Sequence, residues 1–251
     1  MHKIAGVVAI LILAMVGPIR ADQPPDMKAL VDRAIKAHGG EAILTNLKAE
    51  TFKGKVKYYG MGEGLDYAGS WAVLLPDKMR VQIDSKAGDN PFTFIRVVNG
   101  DKVWVKLGDN VEEVTDKERI GEAKEELYVN WVASLLPLKD KAFDLKPLGG
   151  SKVNSKPAVG IRVSHKGHRD VSLFFDKKSG LIVKFVSVVK DEMAGGKEFT
   201  QETILSDYKA VKGVQQAMKV VINRDGKLYI TGEVTEIDRK AKLDDKLFTK
   251  P

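Results

Sequence analysis

The chain has no cysteine among its 251 residues. This absence excludes a disulfide framework, a thiol nucleophile and a zinc site built on cysteines. It also excludes the lipid-modified cysteine that anchors a bacterial lipoprotein, so we expect a protein without a lipid anchor.

Long runs of one charge are also missing. The formal net charge is +7, and two of the positive residues, Lys3 and Arg20, lie in a predicted leader, which leaves about +5 on the remainder. The lysines are mixed with aspartate and glutamate along the whole chain, and no dense basic run with interleaved aromatics occurs. We therefore expect no nucleic-acid partner, whereas a mild attraction to anionic membrane surfaces stays open.

Catalytic and metal-binding motifs are scarce. The histidines beyond the leader are His38, His165 and His168, and the last two fall in a predicted hairpin turn without partner ligands. No Gly-x-Ser-x-Gly elbow, His-Glu-x-x-His pair or P-loop is present. The sequence therefore predicts no enzyme, no cofactor and no bound metal.

Residues 1–21 are typical of a secretory signal peptide. A short positive start precedes an apolar run, Ile4–Val16, which is too short to span a bilayer. We predict cleavage after Ala21, an exported and periplasmic protein, and one domain over residues 22–251. An uncleaved membrane anchor is the alternative.

Most of the remaining chain reads as antiparallel β-structure. A capped helix, Asp26–His38, ends at Gly39-Gly40. About eleven alternating segments follow from Ala49 onward, joined by short turns. Short connections favour antiparallel neighbours, and a sheet of this size curls towards a barrel. We predict a mainly β (α+β) fold with a few helices.

The hairpin at residues 69–83 presents one apolar face. Its turn is Pro76-Asp77-Lys78, and every second side chain of a strand points to the same side. The predicted inward set is Trp71, Val73, Leu75, Met79, Val81 and Ile83.

A long amphipathic helix, Asp116–Leu136, is predicted to cover such a face. Its apolar stripe includes Ile120, Leu127, Trp131 and Leu135, and Pro137 ends it. These residues, together with Trp104 and the hairpin set, either form a packed core or line a cavity between sheet and helix. The sequence leaves both alternatives open.

Several segments resemble the lipoprotein-localisation (Lol) carrier family of outer-membrane lipoprotein-sorting proteins. The matching features are the apolar strand that ends at Pro76, the strand start Met79-Arg80, and residues 97–104, Val-Val-Asn-Gly-Asp-Lys-Val-Trp. Residues 111–115 and the terminal Lys246–Pro251 follow in the same order as in the family. Together these segments cover about a third of the chain beyond the leader.

The resemblance implies an open antiparallel half-barrel with a helical lid over an apolar cavity. It also implies binding of the acyl chains of a lipid or lipoprotein, and transient contact with membrane proteins of the cell envelope. One departure is Leu75, because the carriers have an arginine at the position before this proline. The strands after Lys146 also match poorly.

Two other function classes remain. A structural or interaction module of the cell envelope would have the same apolar face as a dry, packed core and would bind partners along strand edges. A hydrolase or isomerase on this scaffold would need convergent polar groups inside the cavity. The leading expectation is a soluble exported carrier for an apolar ligand.

Overall fold

A computed structural model describes residues 26–85 and 91–251, except for the side chain of Met193. The predicted leader, 1–21, lies outside the described residues and stays a prediction. Most of the predicted loop at residues 87–91 lies outside them as well.

The described residues form three α-helices and thirteen strands. The helices are α1 (Met27–Ala37), α2 (Glu41–Asn46) and α3 (Lys117–Ala133), with short 3-10 turns at Leu136–Lys139, Glu192–Ala194 and Asp245–Phe248. The strands are β1 (Ala49–Tyr58), β2 (Leu65–Leu74), β3 (Lys78–Ser85), β4 (Phe92–Asn99), β5 (Lys102–Leu107), β6 (Asn110–Val114), β7 (Phe143–Val153), β8 (Lys156–His165), β9 (Val171–Asp176), β10 (Ile182–Asp191), β11 (Lys197–Val211), β12 (Val214–Arg224) and β13 (Lys227–Lys240).

The predicted fold class is confirmed, with two differences in detail. The strand count is thirteen rather than about eleven, and β6, interpreted as an extension of its neighbour, pairs as a strand of its own. Helix α3 ends at Ala133 rather than Leu136, because Leu135 adopts a left-handed backbone (φ 72°) that cannot continue a helix. The capped first helix is confirmed, since Asp26 Oδ1 accepts from Lys28 N at 2.9 Å.

All thirteen strands belong to one antiparallel sheet in the order β6-β5-β4-β3-β2-β1-β13-β12-β11-β10-β9-β8-β7. The two edge strands of the described sheet, β6 and β7, flank α3 in the chain. Helix α3 therefore connects one edge of the sheet to the other.

The sheet curls around α3. The Arg119 guanidinium lies 2.8 Å from Glu112 on β6 and 2.8 Å from Glu192 just beyond β10. These strands stand first and tenth in the sheet, and in a flat sheet they would lie about 43 Å apart, at ~4.8 Å per strand. One side chain bridges them because the sheet bends towards the helix, which gives an open half-barrel whose concave face carries α3.

None of the described helices is both long and apolar enough to cross a lipid bilayer.

Candidate ligand-binding trough

The concave face has a closed core on each side. The β8–β9 flank, under α1 and the C-terminal half of α3, consists of Val31, Ala34, Ile35, Tyr128, Val132, Leu135, Leu138, Phe143, Ile161, Val163, Val171, Leu173, Phe175 and Ile182. The hairpin flank, under the N-terminal half of α3, consists of Val73, Met79, Val81, Val98, Val103, Val114, Ala123 and Leu127. Every residue of both sets is buried, so both flanks are packed cores.

Between the flanks, the middle strands β1, β13 and β12 present apolar side chains that are only half-buried. We call this strip the trough, and it consists of Val56, Met218, Val220, Ile222, Ile230 and Val234. None of these residues belongs to a buried cluster of the described residues. The trough is therefore apolar surface that no element of the described chain covers completely.

Strand register places the trough on the same face as the flanks. Ile222 of β12 pairs with Ile230 of β13 and with Thr203 of β11. Thr203 pairs with Phe185 of β10, which pairs with Leu173 in the β8–β9 flank. Directly paired residues of neighbouring strands point to the same side, so this row runs along the concave face.

Glycines make room for aromatic rings where the trough meets the hairpin flank. Phe52 of β1 stacks on Trp71 of β2, with ring centroids 4.8 Å apart and planes 7° apart. The Trp71 ring lies over Gly69, where an added Cβ would approach it to 2.1 Å, and Gly69 pairs with Gly54. A larger residue at position 69 would displace the indole.

The predicted hairpin residues lie together on the concave face. Val73, Met79 and Val81 are buried in the hairpin flank, whereas Trp71, Leu75 and Ile83 are half-buried and pack against it. Only the half-buried group borders uncovered surface.

Trp104, which we predicted for the same cavity, lies on the opposite face of the sheet. Its neighbour Val103 belongs to the hairpin flank, and successive residues of a strand alternate between faces. Trp104 packs instead with the fully buried Phe248 and with Val97 on the outer face. Two of the segments that carried the sequence resemblance, 97–104 and 246–251, thus contact each other.

The predicted lid residues divide between the two flanks. Ile120 and Leu127 pack in the hairpin flank, and Trp131 and Leu135 pack in the β8–β9 flank. Leu135 does so from the turn after the helix rather than from α3 itself. Helix α3 therefore spans the space between the two closed cores.

Polar contacts fix α3 to both sides of the half-barrel. On the hairpin side, Arg96 of β4 pairs with Glu126. On the other side, Arg169 pairs with Glu122, and His168 Nδ1 lies 2.7 Å from Glu125 Oε1. The interpretation of the 165–168 turn as plain surface loop missed these contacts, because the partners are 43 and 47 residues apart in the chain.

Burial shifts the pKa of two aromatic side chains, Tyr128 on α3 and His38 at the end of α1. Burial raises the pKa of Tyr128 to about 12, and the nearby Glu125 carboxylate adds to this effect. Burial lowers the pKa of His38, whose Nδ1 lies 2.9 Å from Ala34 O at the end of α1. Both groups are therefore neutral at physiological pH.

Two hollows are present in the part of the chain that the structure describes. A cleft of about 410 Å³ separates α3 from the turn before β9 and is lined by Glu118, Gly121, Glu122, Glu125, Gly167, His168 and Arg169. A groove of about 620 Å³ runs over the middle strands, and its lining includes Lys55, Lys219 and Val221 as well as the trough residues Val56 and Val220. The cleft beside α3 is lined largely by charged residues, which suits it less well to an apolar ligand than the trough. Six of the thirteen residues that line the groove are charged.

No group of three or more His, Asp or Glu side chains is placed to hold a metal ion within residues 26–85 and 91–251.

Comparison with known proteins rests on structure. No protein-family model and no curated protein matches the chain. A LolA superfamily protein from Nitrosomonas europaea is similar over 89% of this chain and 97% of its own, with 9% identity and a TM-score of 0.55. A putative outer membrane lipoprotein-sorting protein domain from Vibrio parahaemolyticus is similar over 88% and 95%, with 10% identity and a TM-score of 0.56.

The chain has the fold of the Lol carriers. A DUF1329 family protein from Desulfovibrio piger has a similar structure, with a TM-score of 0.61 at 13% identity over 88% of this chain and 96% of its own. The resemblance read from the sequence is thus confirmed as a likeness of fold. Leu75 packs against the hairpin flank, and Arg96 and Arg169 pair with acidic residues of α3.

Proposed function

We propose that the chain is a non-catalytic, exported binding or carrier protein whose trough holds the acyl chains of a lipid or lipoprotein. The observation that carries this proposal is the strip of half-buried apolar side chains between two closed cores. Packed cores leave few side chains of this kind together, and contiguous uncovered apolar surface is typical of binding sites.

The energetics favour an apolar ligand. Each methylene group that moves from water into the trough contributes about 0.8 kcal/mol, so several methylenes give a stable complex. The trough offers aliphatic side chains of β12 and β13 at one side and the stacked rings of Phe52 and Trp71 at the other. This hydrophobic contribution to the binding free energy needs no polar contact, because the hydrophobic effect is non-directional.

Helix α3 serves as the lid in this proposal. It lies across the concave face and is fixed at both sides by ion pairs. The predicted leader accounts for export to the periplasm, and the donor and acceptor of the ligand would be membrane proteins of the cell envelope.

Two substitutions in adjacent residues of β12 test the trough. Val220 pairs with Gly232 on the concave face, whereas its neighbour Val221 points to the opposite face because successive residues of a strand alternate, and both are half-buried. We expect Val220→Glu to reduce uptake of a fluorescent fatty acid at least tenfold, since a carboxylate replaces apolar contact. Val221→Glu is the matched control and is expected to bind as the unchanged chain does.

Native mass spectrometry identifies the ligand when the protein is exported with its own leader and purified without detergent. A co-purifying mass that dissociates as a lipid or acylated peptide supports the carrier. Equal uptake by both variants, or no bound mass together with no fatty-acid uptake, would instead favour the packed interaction module.

A further inference from the structure

At one end of the trough, the side chains of the concave face change from apolar to polar. Along β12, the inward side chains run from Val220 through Ile222 to Arg224, and along β1 they run from Val56 to Tyr58. The apolar strip therefore ends at an arginine and a tyrosine on neighbouring parts of the same rim.

Arg224 is held among aromatic rings. Its guanidinium carbon lies 3.7 Å from the centre of the Tyr229 ring and 5.7 Å from that of Phe199. Its Nη1 pairs with Asp191, and its Nε donates to Gln201 Oε1 at 3.1 Å. Only 17% of the side chain is exposed, so its charge is far less screened than that of a surface arginine.

Two tyrosine hydroxyls lie beside this arginine with weak hydrogen bonds. Tyr229 Oη is 3.5 Å from both Tyr58 Oη and Asp191 Oδ2, distances at the outer limit of hydrogen bonding. Burial, followed by the contact with Tyr58, raises the pKa of Tyr229, so its hydroxyl stays a donor at neutral pH. A ligand oxygen would give these hydroxyls a better partner.

Two cations lie near the Asp191 carboxylate at this rim. Asp191 pairs with Arg224, and it also faces Lys197 across the β10–β11 ladder. Lys197 Nζ lies 4.8 Å from the Phe199 ring. One carboxylate therefore faces two cations on the sheet at the end of an apolar strip, and this arrangement suits an amphiphile with an anionic head.

We propose that Arg224, Tyr229 and Tyr58 bind the oxyanion headgroup, carboxylate or phosphate, of an amphiphile whose chain lies in the trough. This inference rests on the proposed function. It adds that the rim selects among apolar ligands by their head, since the hydrophobic term alone does not distinguish an acid from an alcohol of equal length.

Displacement of Nile red by dodecanoate, dodecyl phosphate and dodecanol at about pH 8, where the carboxylate is ionised, tests the proposal. We expect at least one anion to bind about tenfold more tightly than the alcohol, because hydrogen bonds to charged groups are the stronger ones. Tighter binding of dodecyl phosphate would indicate a phospholipid-like head, and tighter binding of dodecanoate a fatty acid.

Substitutions assign the preference to this rim. Arg224→Gln is expected to bring anion and alcohol within about twofold of each other while leaving dodecanol unchanged, and Arg224→Lys to retain part of the preference. Arg162→Gln, on an exposed outward-facing arginine of β8, is the control and should change nothing. If Arg224→Gln fails to fold, the Tyr58→Phe and Tyr229→Phe double variant should lower the preference about threefold.

The outcomes separate the two proposals. Equal displacement by all three compounds, or a preference that survives both Arg224→Gln and the double tyrosine variant, overturns the headgroup site and leaves the trough intact. Failure of every compound to displace Nile red contradicts the trough itself.

Discussion

The flanks and the middle of this sheet have similar sequence patterns but different environments. In β8 and β9, the alternating residues Ile161, Val163 and Leu173 are completely buried. In β12, the equally regular Val220 and Ile222 are half-buried. The difference lies in what covers them, because α1 and α3 pack on the two flanks and leave the middle strands open.

This comparison shows how one fold provides both stability and a binding surface. The flanks pack as closed cores and carry most of the burial of the concave face, so the middle can stay uncovered without unfolding the sheet. Hydrophobic stabilisation follows the area removed from water, and the middle strands retain area that a ligand can bury. Matched substitutions in the two regions are therefore expected to have opposite consequences.

The largest contrast is expected from two isoleucines. Ile161→Ala in the β8–β9 flank should destabilise the protein by about 2–5 kcal/mol, since it leaves a cavity in a packed core. Ile222→Ala in the trough should cost about 1 kcal/mol or less, because the side chain already contacts solvent. Urea unfolding of both variants without ligand measures the difference.

The same two substitutions should affect ligand binding in the opposite order. Ile222→Ala is expected to weaken fatty-acid uptake, whereas Ile161→Ala should leave it unchanged at temperatures where the variant is folded. Equal losses of stability at the two positions would mean that the trough is a packed core like the flanks.

A smaller effect is expected where α3 is tied to the β8–β9 side. Arg169 pairs with Glu122 and donates to Val188 O at 2.9 Å, with 27% of its side chain exposed. Arg169→Gln should cost about 1–3 kcal/mol, typical of a partly buried, charge-assisted hydrogen bond. Thermal unfolding measures the change.

An exposed ion pair on the same helix is the control. Lys124 pairs with Asp101 at 2.6 Å, but both side chains are largely in solvent. Lys124→Gln should leave the stability of the protein unchanged, because exposed pairs contribute little. A larger loss for Lys124→Gln than for Arg169→Gln would argue that α3 is held from the hairpin side alone.

The features that were predicted correctly from the sequence depend on local residue patterns. Period-two alternation located the hairpin and its inward residues, and the cap at Asp26 located the first helix. Helical periodicity located α3 and three of its contacts, although its end was predicted at Leu136 and lies at Ala133. Each of these features is fixed by residues within a few positions of one another.

What escaped prediction depends on register and on distant partners. Trp104 was grouped with the hairpin set, yet a shift of one residue along a strand changes the face, and its partner Phe248 lies at the other end of the chain. The pairing of Arg224 with Asp191 and Tyr229 arises only when β10, β12 and β13 meet at one rim. Alternation alone also cannot distinguish a buried Ile161 from a half-buried Ile222.

The measurement that tests the central claim most directly is quenching of single tryptophans by a brominated fatty acid. In a variant with Trp104→Phe and Trp131→Phe, the remaining Trp71 reports from the concave face. In a variant with Trp71→Phe and Trp131→Phe, the remaining Trp104 reports from the outer face. We predict saturable quenching of Trp71 and none of Trp104. Equal quenching of both, or quenching of Trp104 alone, would contradict the account, because the ligand would then not lie in the trough.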